Sequence, residues 1–214
     1  MAILLVLQSH VSAQVTSSLT AGPVTANYVI KDGGTTVSPS RKIGFTIGGF
    51  IDVPMAAGWH FQPGLNLVQK GFKFTDDSDP NLVEKNTLTV NVIELPLNVV
   101  FNSSRSDNKN RNTNLIFGGG PSISFAVAGT GKTENQYTTE KTSLKFGNGD
   151  NDDMRSMELG CNIVGGVQLK SRVLIMANYN FGFSNLIPGN SSGSRFHSNY
   201  FALRIGFTFK GKVS

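Results

Sequence analysis

Apolar and polar side chains alternate with period two in seven stretches of this chain, each roughly ten residues long, and no apolar run is long enough to cross a bilayer as a helix. The clearest stretch is 157–170. Its odd positions are Met157, Leu159, Cys161, Ile163, Gly165, Val167 and Leu169, and its even ones include Glu158, Gly160, Asn162, Gly166, Gln168 and Lys170. Successive strand side chains point to opposite faces, so one face is greasy and the other mostly polar or small. Lipid outside and a packed hydrophilic lumen inside require that division. A soluble sandwich shows the same period with its apolar face turned inward, so alternation alone leaves both architectures open.

The length of 214 residues suits one domain. Charged residues make up 15% and apolar residues 39%, a low figure for a membrane protein built of helices but an expected one for a barrel, which hides its hydrophobicity by alternation. The net charge of +5 is scattered over strand ends and loops with no interleaved aromatic stripe, which argues against nucleic acid as a partner. Cys161 is the single cysteine and cannot form an internal disulfide; on the apolar face of its strand it reads as a small hydrophobe. Residues 1–13 carry a short apolar run ending in Val11-Ser12-Ala13, which fits an export signal lacking its basic leader, and residues 14–214 form the barrel domain. Export without a retained helix leaves the periplasm, the outer membrane or the medium.

Eight strands are expected, at 15–28, 42–53, 57–74, 87–101, 114–128, 157–170, 172–184 and 196–209. The first alternates weakly around Gly22 and Pro23. The third begins with Trp59, Phe61, Leu65 and Leu67 in one phase and ends with Phe72 and Phe74 in the other, which predicts a β-bulge near Val68. The fourth changes phase between Val92 and Ile93, and its Pro96 predicts a local irregularity. With both termini periplasmic, the outward links are 29–41, 75–86, 129–156 and 185–195, and the inward ones are 54–56, 102–113 and a tight turn at Ser171. Long and short links therefore alternate, as they do in outer-membrane barrels. The expected fold is all-β: an eight-stranded antiparallel up-and-down transmembrane β-barrel in the cell outer membrane.

Gly58-Trp-His-Phe-Gln-Pro-Gly-Leu-Asn66, Val92-Ile-Glu-Leu-Pro-Leu97, Gly118-Gly-Gly-Pro121 and Tyr179-Asn-Phe-Gly-Phe183 together resemble the PorT-like outer-membrane β-barrel family, a Bacteroidetes type of outer membrane protein beta-barrel domain. The resemblance covers residues 16 to 209 and implies eight strands. Its most specific element is Ile93-Glu94-Leu95-Pro96-Leu97. The family's Pro-Glu-Leu on the third strand is Pro63-Gly-Leu65 here, and Phe209 is followed by Lys-Gly-Lys-Val-Ser. An aromatic ending the last strand fits recognition by the barrel-insertion machinery.

By phase, the groups facing the bore include Asp52, His60, Glu94, Asn98, Asn162, Gln168, Lys170, Asn178, Asn180, Tyr200 and Arg204. Eight strands enclose an interior that side chains just fill, so no open pore is expected. A buried charge needs a partner, which predicts a Glu94–Arg204 ion pair shared with Tyr200 inside a structural network with Asn178 and Asn162. No catalytic, cofactor or metal site is expected. Gly129-Thr-Gly-Lys-Thr133 lacks the first glycine of a phosphate loop and reads as an exposed turn, and Asn148, Asp150 and Asp152 lack the glycine and glutamate of a calcium loop. His60 and His197 fall at opposite ends of the barrel, and His197, Ser198 and Glu158 cannot all share one face. The expected role is structural or interactive, with outer-membrane lipid, the barrel-assembly machinery and a surface or secretion partner at the outer loops as partners. An accessory part in protein secretion and a soluble exported ligand-binding barrel are the alternatives.

Overall fold

A computed structural model describes residues 15–32, 35–37, 39–76, 84–103, 113–135, 137–149, 151–189 and 195–210. The expected signal at 1–13 lies outside them. The strands are β1 (Thr16–Asp32), β2 (Thr35–Val37), β3 (Ser40–Ala56), β4 (Trp59–Asp76), β5 (Glu84–Asn102), β6 (Thr113–Glu134), β7 (Thr139–Ser143), β8 (Met157–Leu169), β9 (Val173–Gly182) and β10 (Arg195–Lys210). Eight of these are long, and each pairs antiparallel with the next in the order β1, β3, β4, β5, β6, β8, β9, β10. β10 then returns to β1, from Thr16 opposite Lys210 to Lys31 opposite Arg195, and closes the sheet into a barrel. β2 folds back on the end of β1, and β7 on the end of β6. Closure removes the open edges of the sheet in the membrane region, so the backbone there pairs with neighbouring strands, with breaks at Gly22-Pro23, Pro63 and Pro96.

Around the outside, Leu19, Phe45, Ile47, Leu65, Leu97, Phe125, Ile163, Ile175, Leu203 and Phe207 are exposed, while Thr46, Asn66, Glu94, Asn98, Asn162, Asn178 and Arg204 are buried inside. This is the reverse of a sandwich, and it places the apolar belt where hydrocarbon would lie. One lower margin of the belt is an aromatic ladder on a single rung, with Trp59 opposite Phe101 and Phe101 opposite Phe117, their rings 5.6 and 5.4 Å apart. Rings at that level suit a membrane–water interface. On β5 the outward apolar residues run Ile93, Leu95, Leu97, Val99 and Phe101, about the nine residues that a tilted strand needs to cross the hydrocarbon.

The strands are longer than that, and above the belt the pattern inverts. On β5, Lys85, Thr87, Thr89 and Asn91 take the outward phase while Leu88, Val90 and Val92 turn inward; β1 does the same with Val24, Ala26 and Tyr28 inside. The inversion falls on one rung of three neighbouring strands, where Val68 is opposite Val92 and Val92 is opposite Ala126. Beyond it the barrel has an apolar core that includes Val24, Ala26, Tyr28, Val68, Val90, Val92, Tyr200 and Ala202, roofed by Met154 and Leu186 from two loops. The barrel therefore rises out of the bilayer as a water-facing cylinder, with its grease inside as in any soluble protein.

This inversion accounts for the change of phase that the sequence shows on β4. The irregularity expected near Val68 is present but lies on the neighbouring strand: between Thr46↔Val68 and Arg41↔Phe72 the pairing shifts by one residue, with the extra residue on β3. β4 itself keeps one register with β5 from Trp59↔Phe101 to Asp76↔Glu84, and Phe72 turns inward to ring contacts with Tyr28 and Phe196. The change of phase lies in the solvent outside the barrel. A further bulge lies on β6, where Asn91 is opposite Ala128 and Val92 opposite Ala126, leaving Val127 as the extra residue. Pro63 and Pro96 interrupt the rungs between β4, β5 and β6 without shifting register. The Gly129–Thr133 run is likewise no turn, since it continues β6 and is sandwiched between β5 and β7.

Tight connections gather at one end, where Ala57 and Gly58 both have positive φ (50° and 87°) and Arg172 closes the β8–β9 turn at φ 67°. Short turns face the periplasm in outer-membrane barrels, so the opposite, long-loop end faces outward.

Candidate functional site: the layered bore

Inward side chains stack in layers from the turn end to the loop end. At the turn end Asp52 receives both oxygens' worth of partners: His60 Nδ1 contacts its Oδ1, and Gln62 Nε2 donates to Oδ2 at 2.7 Å. Beside them Gln168 donates to Thr208 at 2.8 Å, and Ser18 and Thr208 hydroxyls lie 2.9 Å apart. Above this lies an apolar layer of Val100, Ile116, Val164, Leu174 and Met176 with Phe50 against it.

The central layer is polar. The Tyr200 hydroxyl lies within hydrogen-bonding distance of both Glu94 oxygens, at 2.8 and 2.7 Å, and of Asn178 Oδ1 at 3.4 Å. β10 and β5 are four strands apart in either direction around the ring, so the Tyr200–Glu94 bond crosses the full width of the bore. Asn178 and Asn180 both donate to Asn162 Oδ1, at 2.8 and 3.1 Å, and Asn180 reaches Ser122 at 2.9 Å. Glu94 is 0% exposed. A polar group so deep is tolerated only with partners, and the phenol supplies them.

Hydrogen bonds bring together Glu94, Tyr200, Asn178 and Asn162. Arg204 stands apart. Among the described residues it forms no ion pair with Glu94; its Nη1 is 3.4 Å from Asn66 Oδ1, and its buried Nε has no partner. Tyr200 and Arg204 share a face of β10, and Arg204 reaches the rung of Glu94 on the neighbouring strand, at Asn66, which is paired opposite Glu94.

The buried ion pair is one the sequence reading missed. Lys70 Nζ donates to Glu158 Oε2 at 2.9 Å and to Ser198 at 3.1 Å, and sits 5.0 Å from the Tyr200 ring centre; Ser198 donates to Glu158 Oε1 at 2.6 Å. Lys70 comes from β4 and Glu158 from β8, strands that are not neighbours. Gly182 makes room for this pair, because a Cβ there would overlap Glu158 Oε1 and the Ser198 carbonyl. The available signal was Lys70 itself, a lysine in the same phase as Asn66, hidden by the supposed bulge.

Of the remaining expected groups, Asp52, Asn98 and Asn180 are buried inside, His60 and Gln168 are half-buried, and Lys170 is exposed at the lip. Cys161 takes the outward phase, half-exposed. His197 contacts the Ser184 carbonyl while Ser198 and Glu158 bond each other inside, so those three do not assemble. At the outer loop, Asp152 accepts from the Gly149 N–H at 2.8 Å and Asp153 from the Lys145 N–H at 2.8 Å; Asp150 lies outside the described residues. Outside the membrane region, the Glu134 carboxyl is held below its ordinary value by its hydrogen bond from Lys132.

Residues 8–188 match the family model for the outer membrane protein beta-barrel domain. No curated protein matches the chain. Among solved structures it is similar to the attachment invasion locus protein Ail of Yersinia pestis (14% identity, 92% of this chain and 99% of that one, TM-score 0.41). It is also similar to OprG of Pseudomonas aeruginosa (10%, 93% and 98%, 0.44) and to Neisserial surface protein A (8%, 91% and 97%, 0.40). The matched family carries the localisation with it, the cell outer membrane, and the outward apolar belt agrees with it. With more than half its length matched, the chain belongs to the outer membrane protein beta-barrel domain family.

Proposed function

We propose that this protein is a membrane-anchored scaffold whose packed bore and raised rim hold structured outer loops for contact with a surface partner, a protein or surface polysaccharide. The observation that carries this reading is the division of the 129–156 segment. Met154, with Leu186 of the β9–β10 loop, is buried in the core above the bilayer, and Arg155 donates to the Gly189 carbonyl at 3.1 Å, which ties the two loops together. β7 and Tyr137 stand exposed beside that roof. A loop anchored at its base and bare at its tip suits recognition.

Side chains crossing the bore favour a filled cylinder over a conduit, and the separation of His60 from His197 favours a non-catalytic role. The other partners in this reading are outer-membrane lipid along the belt and the barrel-assembly machinery, which would read Phe209. The finer resemblance to PorT-like barrels, through Ile93-Glu94-Leu95-Pro96-Leu97, brings the second reading, an accessory part in protein secretion. Replacing residues 134–143 with Asn-Gly tests the first. It leaves a folded barrel with heat-modifiable gel mobility and abolishes partner contact at the cell surface. A shortened barrel whose cells keep every surface phenotype, together with a deletion strain that loses secretion, overturns the first reading for the second.

A further inference from the structure

At the turn end, below the apolar layer, the bore opens into a cavity of about 300 Å³. That is at the lower end of the roughly 300–1,000 Å³ that holds small molecules. Its floor is apolar, from Phe50, Ile116 and Leu174, and its charged lining is Asp52, His60, Lys170 and Arg172. The one acidic group is already engaged, since both Asp52 oxygens are taken by His60 and Gln62. A carboxylate only accepts, so the His60 Nδ1 carries its proton toward Asp52 and Nε2 is left for another partner. What remains facing the space is the second imidazole nitrogen and two cations.

Arg172 is held there against its own backbone preference. It has φ 67°, where glycine or asparagine is usual. Its N–H donates to the Leu169 carbonyl at 2.9 Å, and its carbonyl accepts from the Thr208 N–H at 3.0 Å, so the lip is pinned on both sides. The turn thus holds a cation at the lip of the cavity.

We propose that this cup is a periplasm-facing binding site for the phosphate group of a small molecule. Lys170 and Arg172 supply the charge, Gln168 and Asn114 further polar contacts, and the His60 Nε2 lone pair accepts from the P–OH of a singly protonated phosphate. Phosphate fits because its several oxygens can accept from the cations and amides at once, with the guanidinium giving two, while its remaining proton is donated to His60. The Trp59–Phe101–Phe117 ladder places the cup at the level of the inner-leaflet head groups. The phosphate could thus come from a lipid head group or from a soluble phosphate ester.

The full chain, refolded in detergent, is titrated with inorganic phosphate and with glycerol phosphate while the His60 imidazole nitrogens are followed by NMR. Saturable shifts are expected with both probes. Arg172→Gly removes the cation and relieves the turn, so it weakens phosphate binding about fivefold or more without lowering the unfolding midpoint, and Lys170→Gln acts in the same direction. In nanodiscs, phosphatidylglycerol that blocks the soluble probes assigns the site to lipid, and unimpeded binding of the soluble probes assigns it to a free ester. Absence of any His60 shift in detergent and nanodiscs alike, or full affinity in the Arg172→Gly Lys170→Gln double variant, overturns the proposal.

Discussion

Lys70→Met should be the most damaging single change in the bore. Lys70 is 2% exposed, and its ammonium holds Glu158, Ser198 and the Tyr200 face at once. Removing one member of a buried ion pair leaves the other charge without a counterion, which costs about 3–5 kcal/mol. With an m-value of roughly 2 kcal/mol/M in urea, a loss near 4 kcal/mol lowers the unfolding midpoint by about 2 M. Glu158→Gln alone should cost a similar amount, because Lys70 is then the stranded charge. The double variant Lys70→Met Glu158→Gln keeps an acceptor for Ser198 and strands no charge, so it recovers most of the loss, with a coupling energy of about 2 kcal/mol or more. Urea titration in lipid vesicles, read by tryptophan fluorescence at Trp59, measures all four proteins. A Lys70→Met midpoint within about 0.5 M of the parent, or a double variant as unstable as the sum of the singles, refutes the pair as the mainstay of the upper bore.

Other perturbations separate the remaining claims. Tyr200→Phe strips the Glu94 carboxyl of its donor and should cost about 1.5–3 kcal/mol in the same titration. Arg204→Met should be neutral or stabilising, by about 1–4 kcal/mol, because that guanidinium has one long hydrogen bond and an unpartnered Nε; a clear loss of stability would restore the ion pair with Glu94. Gly182→Ala forces Glu158 out of its place and should cost about 1–3 kcal/mol, visible as a lower melting temperature in the heat-shift gel assay. Arginine at Ile163, in the belt, should cost about 2–4 kcal/mol, and arginine at Thr89, above it, about 0–1 kcal/mol, as measured by refolding yield into vesicles.

The barrel was legible in the sequence because lipid imposes a strict rule on strands such as 157–170 and 42–53, where every second residue must tolerate hydrocarbon. That rule lapses where water surrounds the barrel. From Val68 to Phe72 and from Leu88 to Val92 the apolar residues belong to an interior, and sequence records which residues are apolar without recording what lies outside the cylinder. The same blind spot hid Lys70. Glu94 and Tyr200 were within reach of sequence reasoning because β5 and β10 oppose each other in any ring of eight. The error over Arg204 and the silence over Lys70–Glu158 have a common cause: contacts across the bore depend on how far each tilted strand is staggered, which alternation does not encode.

Where side chains point is the decisive quantity. In a Cys161→Ser background, single cysteines at 45, 125, 163 and 207 and at 162 and 178 are labelled with a small fluorophore and exposed to a quencher attached to lipid acyl chains. A closed cylinder in hydrocarbon predicts strong quenching at Phe45, Phe125, Ile163 and Phe207 and little at Asn162 and Asn178. Quenching at Asn162 and Asn178 equal to that at Ile163, or none at any of the six, contradicts it.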